Sequence, residues 1–110
     1  MSRADDLKRL AVLAALARDA KLAKVADAAL ARSRSLQQLA ALTPPPVQDS
    51  ELSPLVLAGA SLRYQLWADM KRAEINRTLA RQTATWIEAR ADARNAFGRA
   101  DVLARLAEKL

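Results

Sequence analysis

Three consecutive prolines, Pro44-Pro45-Pro46, interrupt this chain. Proline lacks an amide hydrogen and pushes the residue before it out of helical geometry, so no helix continues through such a run. On its N-terminal side, residues 3–43 contain neither Gly nor Pro and are rich in Ala, Leu, Arg and Lys. These are the strongest helix formers. One helix of about 40 residues, about 60 Å long, is expected there. Ser2 is placed to cap it, with Asp5 and Asp6 favourable in its first turn. Residues 44–53 read as the linker. A second helix is expected over 54–110, with Ser53 as cap and Pro54 at the first position, where its missing N–H does no harm.

Two long helices joined by a short linker fold back on each other. The expected fold class is all-α, an antiparallel coiled-coil hairpin forming one domain over residues 1–110. Setting residue 43 against residue 54 brings Arg3 near residue 94. The last turns of helix two then overhang the N-terminus. Both chain ends lie at one end of the rod and the prolines at the other. Gly59, beside Ala58, Ala60 and Ser61, is expected to permit a close backbone approach. Gly98 is expected to bend or fray the second helix.

At 100° per residue, Leu7, Leu10, Leu22, Val25, Leu36 and Leu39 share one sector of helix one, filled in by Ala11, Ala14, Ala28, Ala29 and Ala40. Leu13, Leu16 and Leu30 fall outside it. In helix two, Leu57, Tyr64, Ile75, Leu79, Trp86, Ala93, Phe97 and Ala100 form a narrow stripe. From Leu79 a heptad runs through Trp86, Ala93, Ala100 and Ala107. Ile75, Gln82, Ala89, Ala96, Leu103 and Leu110 take its other core position. A second apolar set, Leu55, Leu62, Leu66 and Met70 with Trp67, lies on another side. It is either a broader core or an exposed face awaiting a partner. The same choice applies to Val102, Leu106 and Leu110.

The chemistry open to this chain is narrow. It has no Cys and no His, so disulfides, thiol nucleophiles, Cys/His zinc sites and imidazole catalysis are excluded. With two glycines there is no phosphate-cradling loop. Hydrophobic residues make up 52%, but 26 of them are alanine, and aromatics are 4%. So little bulk suits long helices, not a pocket. The chain is expected to be no enzyme and to hold no cofactor or metal. Its longest apolar run, Leu10–Ala17, is far short of the roughly 20 residues that cross a membrane.

The net charge of +6 allows nucleic acid, anionic lipid or an acidic protein surface as partner. Glu88 and Asp92 share a face one turn apart, without a histidine to complete a metal site. Arg77 and Arg81 stack on one face, and Arg90 and Arg94 on another. Local carboxylates are spaced to answer some of the cations: Asp5 with Arg9, Glu74 with Arg77, Asp101 with Arg105. These cations read as solvated surface, a docking site for an acidic protein, or a nucleic-acid contact. A nucleic-acid binder usually gathers its charge on one side, and here it is scattered.

The stretch Arg90-Ala91-Asp92-Ala93-Arg94-Asn95-Ala96-Phe97-Gly98-Arg99, followed by Leu103, Leu106 and the closing Glu108-Lys109-Leu110, resembles the end of the flagellar export protein FliJ family. The small, basic, cysteine-free hairpin plan is similar too. Phe97, Gly98, Arg99 and Leu103 lie in the matching stretch. The resemblance implies an antiparallel coiled coil like the stalk of rotary ATPases, cytoplasmic, acting at the type III export apparatus. Its partners would be the export ATPase ring and the export gate or chaperones, with peripheral attachment at the inner face of the membrane through that apparatus. Joined to the face analysis, it makes Arg9, Arg94, Arg99 and Arg105 the candidates to face the ATPase. Leu62, Leu66, Trp67 and Met70 become candidates for the gate or a chaperone. The alternatives are a basic hairpin that binds nucleic acid or anionic membrane, and a hairpin that self-associates into a four-helix bundle.

Overall fold

A computed structural model of the chain describes residues 2–42 and 53–110. It is a helical hairpin of two elements, α1 (Arg3–Ala41) and α2 (Pro54–Lys109). The expected linker over 44–53 lies outside the described residues except for Ser53, and so does Thr43. Both helices begin on their expected caps. Ser2 Oγ accepts from the Asp5 N–H at 3.2 Å, and Ser53 Oγ from the Val56 N–H at 3.3 Å. Helix α2 runs unbroken through Gly59 and Gly98. A Cβ built on either glycine meets nothing within 4 Å. Neither residue is therefore a point of close backbone approach, and Gly98 does not end the helix.

The molecule is a rod of 85 × 21 × 16 Å with a radius of gyration of 25.1 Å. A compact domain of this length would have a radius of about 13 Å. The long axis equals the length of α2 alone, about 84 Å for 56 residues at 1.5 Å each. Helix α1 therefore lies within the span of α2 and does not extend beyond it.

Cross-helix contacts fix the alignment. The Arg72 guanidinium donates to the Leu42 carbonyl at 3.3 Å, Ser35 Oγ donates to Gln82 Oε1 at 2.5 Å, and Arg32 Nε donates to Thr83 Oγ1 at 3.1 Å. The Arg18 guanidinium lies 5.7 Å from the centre of the Phe97 ring. The start of α1 thus sits beside the end of α2, and both chain ends meet almost flush.

This corrects the expected register. The overhang is not at the C-terminus but at the start of α2, where about 18 residues, or about 27 Å, run past the end of α1. Two physical reasons favour it. Ten linker residues can reach about 33 Å, so they do not force residue 43 against residue 54. Blunt alignment would also set Ser61 and Gln65, earlier members of the heptad, against α1 and leave Ala96, Ala100 and Leu103 without a partner helix. The observed alignment covers these three and drops the two polar positions.

The seam of α1 is regular. Ala4, Leu7, Ala11, Ala14, Arg18, Lys21, Val25, Ala28, Arg32, Ser35, Leu39 and Leu42 are all buried or half-buried, in a strict three-four alternation. From α2 it meets Ile75, Leu79, Gln82, Trp86 and Ala89, then the buried Ala93, Ala96 and Ala100. The expected α2 heptad is thus the packed one, except that Leu110 is 65% exposed. For α1 the expected face is partly wrong. Leu7, Val25 and Leu39 face the seam, whereas Leu10, Leu22 and Leu36 are exposed. A projection at 100° per residue drifts about 20° per heptad from a 3.5-residue seam, and over five heptads it mixes neighbouring faces. Phe97 departs for the same reason and stands at the seam's edge, 44% exposed.

Candidate protein-interaction surfaces

The seam of a two-helix rod occupies one strip of each helix, so most side chains are left outside. Four of the twelve α1 seam positions are polar or charged: Arg18, Lys21, Arg32 and Ser35. Arg18, Arg32 and Ser35 find partners by reaching sideways or across. Two guanidiniums lie over the Trp86 ring, Arg32 at 5.3 Å and Arg90 at 4.7 Å from its centre. Arg18 covers Phe97 and also holds Asp19 at 3.2 Å. Cation–π contact needs only a ring face and a cation, so Arg32 and Arg90 are placed without a carboxylate among the described residues. Sequence reasoning placed Trp86 in the core but missed its arginines. The signal was there: arginine at positions 18 and 32, in step with Ala4, Ala11 and Val25.

The two long sides of the rod differ. Along one, Lys21, Lys24 and Asp27 of α1 and Thr85, Glu88 and Asp92 of α2 line an open groove of mixed charge. Glu88 and Asp92 thus sit among lysines, as solvated surface acids. Among the described residues, no group of three His, Cys, Asp or Glu is placed to hold a metal. Along the other side lie the stacked arginines and the rings they cover.

The four candidate ATPase-facing arginines are all exposed. Arg9 and Arg105 stand near the flush chain ends, each at the position of its heptad farthest from the seam. Arg105 is held by Asp101 at 3.1 Å, the expected pair. Arg94 and Arg99 border a shallow groove with Asn95, Gly98, Val102 and Leu103. The four encircle the last third of α2 and the start of α1 and do not converge on a point. Of the other expected pairs, Glu74 is held by Lys71 at 3.4 Å and not by Arg77. Asp5 and Arg9 form no ion pair among the described residues.

The second apolar set belongs to the overhang. Leu62, Leu66, Trp67 and Met70 are 58, 57, 49 and 67% exposed, but Trp67 borders a groove with Gln38, Ala41 and Leu42 at the end of α1. Tyr64 and Trp67 stack with ring centres 5.8 Å apart. Of the two readings open at the sequence, exposure is the one observed. No helix is long and apolar enough to cross a membrane among the described residues.

No family model matches the chain, and no curated protein or solved structure matches it.

Proposed function

We propose that this chain is a non-enzymatic coiled-coil component of a type III export apparatus, a stalk that binds and stimulates the export ATPase and contacts the export gate or chaperones. One observation carries the proposal: a rod of two antiparallel helices whose chain ends meet flush at one tip while a single helix projects from the other. A ring ATPase grips such a rod by its paired tip, and encircling arginines suit a ring better than a one-sided groove does. Arg9, Arg99 and Arg105 serve that tip, with Arg94 further along. The projecting start of α2 presents Leu62, Leu66, Trp67 and Met70 to the gate or a chaperone. In this reading its part in hydrolysis is to act on another protein's active site. The reading also rests on the resemblance over residues 90–110.

The test is reconstitution with the export ATPase of the same cell. The purified chain is expected to co-elute with it and to raise its hydrolysis rate severalfold, with no hydrolysis by the chain alone. Arg99→Glu with Arg105→Glu is expected to abolish the stimulation while the helical signal in circular dichroism is kept. Absence of both complex and stimulation refutes the proposal.

A further inference from the structure

The side of the rod opposite the mixed-charge groove carries an apolar strip that the hairpin leaves uncovered. Leu22 and Leu36 of α1 and Ile87 and Phe97 of α2 are 41, 41, 57 and 44% exposed. Ala26 and Ala29 of α1 and Ala80 of α2 lie between them, so the strip is shallow and continuous along about 27 Å, the length of an 18-residue helix. Its charge is predominantly positive. Arg18, Arg32 and Arg90 are held on it by Phe97 and Trp86, and Arg94 follows Arg90 by one turn. The one carboxylate among the described residues of this strip is Asp19, already taken by Arg18.

We infer that this side docks an acidic amphipathic helix of another protein, which completes a three-helix bundle with α1 and α2. Charge decides the occupant. A second copy of this chain would press its own arginines against these, and the chain carries +6 overall. A nucleic acid would answer the guanidiniums with phosphates but leave Leu22, Leu36, Ile87 and Phe97 wet. A helix with leucines on one face and glutamates on its flanks satisfies both sets at once. Fixed on rings, the guanidiniums lose little side-chain freedom on binding. The inference does not depend on the export reading: it concerns the side of the rod, shares only Arg94 with the residues proposed to face the ATPase, and is tested at Ile87 and Arg90.

The probe is a 21-residue peptide with Leu at three-four spacing, Glu at the flanking positions and Ala elsewhere. The comparators are the same peptide with Lys for Glu, a DNA duplex of 20 base pairs, and anionic phosphatidylserine vesicles. Binding is read by fluorescence anisotropy and by the Trp86 emission of a Trp67→Phe background. The Glu peptide is expected to bind at least tenfold tighter than the Lys peptide and to shift the Trp86 emission. Ile87→Asp and Arg90→Glu, both at exposed positions, are each expected to weaken it tenfold or more. Lys24→Glu carries the same charge change as Arg90→Glu on the other side and is expected to alter it less than threefold. Equal binding of the two peptides, equal loss in Lys24→Glu and Arg90→Glu, or tighter binding to DNA or vesicles overturns the inference.

Discussion

At the scale of the residue, the most informative contact is a polar one at the seam. Ser35 is 4% exposed and donates to Gln82 at 2.5 Å. Toward the chain ends the seam is mostly alanine, Ala4, Ala11 and Ala14 of α1 with Ala93, Ala96, Ala100 and Ala107 of α2, and alanine packs almost equally well against alanine in any heptad register. A hydrogen bond closes in one register only, so this pair does for alignment what bulky side chains do elsewhere. Ser35→Ala leaves the Gln82 amide without its partner and is expected to cost about 1 kcal/mol in urea unfolding followed at 222 nm. Ser35→Ala with Gln82→Leu removes both polar groups and is expected to recover that loss while admitting a second register, seen as a broadened distance between labels on the two helices. The Trp86 contact works differently. It lets a half-buried Arg32 occupy a seam position, because the guanidinium meets the Trp86 ring and Nε donates to Thr83 Oγ1.

The elements owe little to each other for their existence. Residues 3–41 and 54–109 are helical by propensity and are started by Ser2 and Ser53. Ser53→Ala is expected to cost about 1 kcal/mol and to speed amide exchange in the first turns of α2, because the Val56 N–H loses its acceptor. Gly98→Ala makes the opposite prediction. The helix is continuous there and the added methyl meets nothing within 4 Å, so a gain of about 0.5–1 kcal/mol is expected on thermal unfolding. The helix limits and the α2 heptad were legible from residue types and spacing alone. The face of α1 was not, because leucines at 10, 22 and 36 outweighed alanines and arginines in any count of apolarity. Only the strict three-four step from Ala4 to Leu42 separates seam from surface.

For the whole molecule, register is the property that decides function, since it sets which surfaces are paired and which project. Spin labels at positions 10 and 106 are expected to lie within about 20 Å, since packed helices are 8–10 Å apart. Labels at 10 and 86 are expected to lie about 30 Å apart along the axis. A monomer in solution scatters with a radius of gyration near 25.1 Å. Blunt alignment would reverse the first pair of expectations and move the overhang to the chain ends. The candidate arginines surround the end of the rod where both chain ends lie. The overhang falls on Leu62, Leu66, Trp67 and Met70. Thus the sequence by itself determined that there are two helices, where they start and stop, and that they pair antiparallel, because propensity, caps and proline act locally. Which residues face which was decided only by the tertiary structure: the repeating heptad allows more than one alignment, and a few side chains far apart in the chain, Ser35 with Gln82 and Arg32 with Thr83 among them, select one.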